Sequence, residues 1–222
     1  MIKFISAFKR KPGMSLEAFT EYWRTAHAEA VVKVPNLKRY VQSQAIESAY
    51  RTGEPVYDGL AELWYEDTAA MRRAAESPAS LAALKDDVNF IDMNTFANVL
   101  TEEIMLKEGP RDSSMLKIAT FLFRKPDLAV EPFQKYWREK HGPLAAKIPQ
   151  VLRYAQSHAR ASSYRDGRVP AFDGVAEVWL ENIEAARASS KTPEYAAVRV
   201  DELNFLDQPR ARFIITRERV FI

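Results

Sequence analysis

Histidine has an ordinary pKa of about 6.5, closest to neutrality among side chains, so proton-transfer chemistry is sought around it first. The chain has three: His27, His141 and His158. His27 and His141 each close the same string, Phe-x-x-Tyr-Trp-Arg-x-x-His, which runs from Phe19 and from Phe133. Each lies four residues after a tryptophan, Trp23 or Trp137, which is one helical turn and so the same apolar face. A second polar set follows on extended segments. Tyr154, Gln156 and His158 alternate there, and Tyr40, Gln42 and Gln44 hold the matching places in the first half. Period-two alternation puts each trio on one strand face, and a Tyr-Gln-His face needs partners that a dry core seldom supplies. Such a face lines a pocket or meets solvent. The competing accounts are a core-edge histidine satisfied by a backbone carbonyl and a solvated edge strand.

Other chemistries are narrowed by what the sequence lacks. It has no cysteine, which removes thiol nucleophiles, disulfides and cysteine-held clusters. No GxGxxG, GxxxxGK[ST] or GxSxG string occurs, so nucleotide loops and nucleophile elbows have no support. Among the histidines only His141 and His158 are placed to meet, without HExxH or a two-histidine, one-carboxylate spacing, so no metal is expected. Asp58 and Glu62, with Asp173 and Glu177, share a strand face with Trp64 and Trp179; pairing with Arg39 and Arg153, or polar contacts at a seam between halves, is the reading favoured for them. Trp23 and Trp137 read as core anchors and, with Gln42 and Gln156, as the candidate substrate-contacting side chains.

The elements that must position these residues come twice. Beyond the helix string, Arg39-Tyr40-x-Gln42-Ser43 returns as Arg153-Tyr154-x-Gln156-Ser157, and Asp58-Gly59-x-Ala61-Glu62-x-Trp64 returns as Asp173-Gly174-x-Ala176-Glu177-x-Trp179. One extra residue enters the second copy near Val169. The repeat spans almost the whole chain, and a polar stretch with both helix breakers, residues 108–114, reads as a linker between domains 1–107 and 115–222. In the first copy the patterns predict strands over 2–9, 37–46, 56–66 and 95–106. They predict helices over 15–33, 67–76 and 78–88, with Ser15 as an N-cap and Ser77-Pro78 opening the third helix. The order β-α-β-β-α-β is the ferredoxin-like plan, whose sheet keeps one bare apolar face. The predicted fold is therefore α+β, two ferredoxin-like halves packed sheet to sheet as an intramolecular α+β barrel.

The 222 residues suit two such domains, and 32 basic against 30 acidic residues leave a net charge of +2. That balance argues against nucleic-acid or membrane-surface partners. Lys3 and Lys9 break any signal-peptide core, and no apolar run approaches the ~20 residues of a membrane span, so a soluble, cytoplasmic protein is expected.

At Phe-x-x-Tyr-Trp-x-x-x-His, followed in the second copy by Gly142-Pro143-Leu144, the sequence resembles the EthD family of the dimeric α+β-barrel superfamily, along nearly the full length of both halves. The resemblance implies a tandem fusion making a pseudo-dimer, with a further homodimer left open. It also implies small proteins of catabolic or polyketide-type pathways, usually without cofactor. Isomerase-like relatives line a pocket with a helix histidine and a strand tyrosine, the places of His27 and Tyr40 and of His141 and Tyr154. The first copy departs after its histidine, with Ala28-Glu29-Ala30 replacing Gly-Pro-Leu.

The leading expectation is thus a cofactor-independent enzyme of isomerase or lyase (dehydratase) type on a small cyclic or aromatic-derived substrate. His141 would move a proton beside a carbonyl, and Tyr154 or His158 would hydrogen-bond the developing enolate oxygen. Because only the second copy adds His158, its chemistry is expected to dominate. Two other readings stand beside it: a cofactor-free monooxygenase, and a non-catalytic small-molecule binding or accessory protein, kept open by the lack of a strong nucleophile.

Overall fold

The computed structural model describes residues 1–222, the side chain of Thr52 excepted. The chain forms two compact units, residues 1–100 with 219–222, and residues 101–218. The helices begin where capping chemistry places them. Ser15 accepts from the Ala18 N–H (3.1 Å), and Ser77, followed by Pro78, accepts from the Ser80 N–H (3.2 Å).

In the first copy β1 (Ile2–Phe8) leads to α1, which is α-helical over Leu16–Tyr22, π-helical over Trp23–His27 and α-helical again over Ala28–Val31. Then come β2 (Leu37–Ala45), β3 (Gly59–Tyr65), α2 (Thr68–Ala75), α3 (Pro78–Phe90) and β4 (Ala97–Lys107). The second copy repeats the order with β5 (Leu116–Leu122) and α4, which runs over Val130–Tyr136, a π-helical Trp137–His141 and Gly142–Ala145. It ends with β6 (Arg153–Ala159), β7 (Gly174–Leu180), α5 (Ile183–Ser189), α6 (Pro193–Asp201) and β8 (Arg212–Val220). The predicted strands and helices match these within a few residues. What periodicity does not announce is the π-turn, which falls on the five residues from Trp to His in both copies. Such turns are rare and concentrate at functional sites.

The strands are antiparallel. In the first unit β3 lies between β1 (Ile2↔Tyr65 to Phe8↔Gly59) and β2, which carries a bulge between Leu37 and Arg39. The C-terminal residues belong here too. The Phe221 N–H donates to the Tyr40 carbonyl (2.9 Å), and their rings stack at 5.2 Å. In the second unit the order is β8-β5-β7-β6, the 4-1-3-2 arrangement of a ferredoxin-like sheet. Residues 101–107 of β4 add to β6 as a further strand, Thr101↔Ala159 to Lys107↔Tyr154. Each copy is thus a βαββαβ unit of ferredoxin-like type. No helix among the described residues is long and apolar enough to cross a membrane.

The helix-facing side of the first sheet packs Phe8, Tyr40 and Ala61 against Phe19, Trp23 and Phe90. Trp23 is tied down closely: a Cβ on Gly59 would lie 2.7 Å from its ring, so glycine is required beneath it. Gly174 stands under Trp137 in the same way, at 2.5 Å. The opposite side of the second sheet holds a buried ion cluster. Lys117 reaches Glu177 (2.6 Å) and Glu218 (3.1 Å), and Glu218 also takes both arms of Arg111 (2.7 Å) and the Trp179 N–H (2.9 Å). In the first unit Lys3 meets Glu62 at 2.8 Å. Glu62 on β3 and Glu177 on β7 thus each meet the lysine of the first strand of their own copy. Arg153 bonds Glu108 (2.9 Å), and Asp58 takes Arg10 (2.8 Å) and the Tyr50 hydroxyl (2.5 Å).

Candidate functional site

The π-turn delivers His27 to a buried position against Phe90, their rings 4.6 Å apart. Its Nδ1 lies 2.9 Å from Asp86 Oδ2, and Asp86 also accepts from the Tyr22 hydroxyl (2.6 Å) and the Asn89 amide (2.9 Å). Burial pushes the Asp86 carboxyl upward, but these three donors outweigh it and hold it below the usual carboxylate range. An ionised carboxylate only accepts, so the proton sits on Nδ1 and Nε2 keeps its lone pair. Burial, partly offset by Asp86, lowers the His27 pKa and keeps the ring neutral. The second copy reproduces the arrangement: His141 Nδ1 meets Asp201 at 2.9 Å, with the Tyr136 hydroxyl on Asp201 at 2.7 Å and Phe205 beside the ring. The histidines are therefore oriented by carboxylates, not by the backbone carbonyl of the competing account.

What the two copies do with this shared device differs. In the first, a cavity of about 270 Å³ opens between the helices and the sheet. Its wall is mostly apolar, including Phe4, Val31, Leu63, Met71, Ile91 and Phe96, with His27, Tyr40, Asp87, Ser6 and Ser80 as its polar members besides the Tyr65 phenol. Asp87 Oδ1 lies 3.8 Å from His27 Nε2, beyond hydrogen-bond range. Burial first, then the charge of Asp86, raises the Asp87 carboxyl to about 7. Tyr40 accepts from Gln42 Nε2 (2.7 Å), which leaves its O–H as a donor, and burial raises its pKa. Gln42 spends a second hydrogen bond on the Trp23 carbonyl (2.7 Å). Gln42 and Trp23 thus hold α1 against β2 and lie outside the cavity wall.

In the second copy larger side chains pack in the corresponding region. Tyr195 and Val198 stand where the first copy has Ser80 and Ala83, and they pack with Ala145, Ile148, Tyr154 and Leu106. The counterpart of Asp87 is Glu202, which turns to Arg199 and to Gln208 (2.9 Å); Arg199 replaces Leu84. The polar face of β6 is buried and largely bonded within itself. Gln156 Nε2 donates to the Tyr154 hydroxyl (2.8 Å) and the Trp137 carbonyl (2.9 Å), and the Trp137 N–H reaches the same hydroxyl at 3.3 Å. The remaining amide oxygen of Gln156 accepts from His158 Nε2 at 2.9 Å. His158 lies on the Trp137 ring (4.2 Å between centroids), its Nδ1 has no partner among the described residues, and burial, then Arg138, lowers its pKa to about 3. Its one N–H is already used, so the donor role expected for His158 toward an enolate is not open to it in this arrangement. Tyr154 and His158 meet through Gln156, whereas His141 is tied to Asp201.

Asp86, Asp87 and Asp201 were missed by sequence reasoning. One signal was available: Ala83, Asp87 and Phe90 recur at helical spacing, so Asp87 shares the buried face of α3. Among the described residues no three His, Cys, Asp or Glu side chains gather as a metal-binding group.

Comparison with curated proteins finds no match. Among solved structures, an anthrone oxidase-like protein aligns over 99% of this chain and 92% of its own, at 9% identity and a TM-score of 0.69. A protein of Lactobacillus acidophilus and one of Fusobacterium nucleatum, each provisionally named a monooxygenase, align over 99% of this chain and 94% and 93% of theirs, at 11% and 9% identity and TM-scores of 0.60. At such identities the likeness is one of fold. The family model for the EthD domain matches residues 11–94 and again residues 125–209, so the chain belongs to the EthD family and carries the domain in tandem.

Proposed function

We propose that this protein is a monooxygenase of the α+β-barrel type, acting on a small, electron-rich aromatic or enolisable ketone in the cavity of its first copy. The observation that carries the reading is the His27 Nε2 lone pair, fixed by Asp86, at the edge of an otherwise apolar cavity. The isomerase or lyase expectation is corrected. Neighbours spanning nearly the whole chain are named for oxygen chemistry, as anthrone oxidase-like or as monooxygenases.

The chemistry asks the protein for a base, a hydrogen-bond donor and a dry pocket. Nε2 of His27 takes a proton from the carbon that the substrate carbonyl acidifies, directly or through a conjugated ring, and Tyr40 donates to the enolate oxygen that forms. The carbanion gives an electron to dioxygen, and the resulting pair combines into a carbon-bound peroxide, protonated by His27. Loss of the second C–H proton to His27 expels hydroxide from the O–O bond, and that proton completes water. For a ketone with a reactive CH₂, one dioxygen supplies the new carbonyl oxygen and the oxygen of water, so atoms and electrons balance. The domains are taken as 1–107 and 115–222. The partner is a small molecule.

Anthrone is the first substrate to try, with dioxygen uptake and anthraquinone formation measured above the uncatalysed rate. His27→Gln should lower the rate by about 10²–10⁴-fold. Ser80→Tyr with Ala83→Val, which gives the first copy the filling residues of the second, should abolish it. A larger loss from His141→Gln than from His27→Gln would move the chemistry to the second copy.

A further inference from the structure

Asp87 is a carboxylic acid with its side chain in an apolar cavity and no ion pair shorter than the 3.8 Å approach to His27 among the described residues. A carboxyl set in a mostly apolar wall, with its oxygens open to the cavity, gives up most of its solvation, so its place there points to a ligand that completes it. The two copies give an independent comparison. Where the cavity exists, the carboxyl faces it; where Tyr195 and Val198 fill that space, the residue is Glu202 and its carboxylate is drawn off by Arg199 and Gln208. The carboxyl and the cavity go together.

We propose, resting on the cavity as the binding site, that Asp87 is its specificity-determining residue: it selects an uncharged, planar aromatic ligand by meeting the ligand's single hydroxyl or carbonyl oxygen opposite His27, and it rejects anionic aromatics. The spacing suits this. A hydroxyl between Nε2 of His27 and Oδ1 of Asp87, which are too far apart to bond each other, lies within hydrogen-bond reach of both and can donate to Nε2, whereas a carbonyl oxygen can only accept, from the Asp87 carboxylic acid. The volume, about 270 Å³, lies just below the ~300–1,000 Å³ of drug-sized pockets and fits a body of two or three fused rings. No lysine or arginine lines the cavity, so a ligand carboxylate would enter unpaired beside Asp87, with the ionised Asp86 behind it. Such a repulsive element discriminates as strongly as an attractive one.

Equilibrium binding of 2-naphthol, naphthalene and 2-naphthoate to the full chain at pH 7, by calorimetry, tests this without turnover. 2-Naphthol should bind roughly threefold to tenfold more tightly than naphthalene, the range of one net hydrogen bond. 2-Naphthoate should bind at least about tenfold more weakly than 2-naphthol, as expected for an unpaired charge. Asp87→Leu should remove the preference for 2-naphthol over naphthalene. Asp87→Asn, which keeps shape, donor and acceptor, should retain that preference and relax the exclusion of 2-naphthoate. Ser80→Tyr with Ala83→Val should abolish binding of all three. Equal binding of 2-naphthoate and 2-naphthol, an Asp87→Leu protein that still prefers 2-naphthol, binding that survives filling of the cavity, or no binding of any probe would overturn the proposal. Because the readout is affinity, selective binding without oxygen uptake would refute the monooxygenase reading alone, and oxygen uptake without selectivity would refute this one alone.

Discussion

Asp87→Asn should stabilise the protein, and should do so more at pH 8 than at pH 5. The Asp87 carboxyl has an ordinary pKa of 3.8 and is raised to about 7 in the folded protein, by burial and then by the charge of Asp86. The folded state therefore holds a proton that the unfolded chain has already released. Stability falls as pH rises from about 4 to about 7 and is level above, the opposite of a salt-bridged aspartate. At about 1.4 kcal/mol for each tenfold change in proton affinity, the ionised side chain costs about 4 kcal/mol at pH 8 and about 1.5 kcal/mol at pH 5. Asparagine removes the charge and nearly keeps the shape; its own desolvation does not vary with pH and cancels between the two conditions. The groups facing Asp87 are His27 on α1, Tyr40 on β2 and Asp86 on α3. Loss of the negative charge makes a protonated His27 less favourable, which trims the gain at pH 5 further. Urea denaturation of both proteins at both pH values should thus show a gain that is about 2–3 kcal/mol larger at pH 8. The same gain at both pH values, or destabilisation at pH 8, would refute the assignment of a strained, ionising carboxyl to this cavity.

Gly59→Ala should destabilise by about 1–3 kcal/mol through overpacking, because its Cβ would sit 2.7 Å from the Trp23 ring; the check is the urea midpoint. Glu218→Gln should cost about 3 kcal/mol or more, because Lys117 and the two arms of Arg111 lose this carboxylate; a loss under about 1 kcal/mol would mean that the cluster is dispensable.

The duplication, the strand and helix order and the helix histidine were all legible, since each rests on local pattern: repeated strings, period-two and helical spacing. Legibility ended where side chains from distant elements converge. Tyr154, Gln156 and His158 do share a face, but their polarity does not reveal that Gln156 bonds Tyr154, Trp137 and His158 together. Asp86 and Asp87 adjoin in sequence, and the buried Ala83 and Phe90 at helical spacing on either side of Asp87 put the second of them on the buried face. The difference that separates the copies, Ser80 and Ala83 against Tyr195 and Val198, is written plainly in the repeat. Its meaning depends on knowing that these positions look into the space beneath His27, which no spacing rule gives.

The stack of Phe221 on Tyr40 joins residues 181 positions apart, and the first unit includes residues 219–222. On the ribosome this sets an order of events. The tunnel releases the first copy long before its last pieces exist, so Tyr40, whose hydroxyl serves the cavity, waits uncovered while the whole of the second copy is made. Contacts of such separation are slow to form, and an incomplete sheet edge is exposed to wrong partners in the interval. The counterpart of Phe221 in the repeat, Leu106 of β4, is made long before it and is already present in that interval. Exchange between repeats is a general failure mode of duplicated chains, and the late arrival of residues 219–222 lengthens the interval in which it is open to this one.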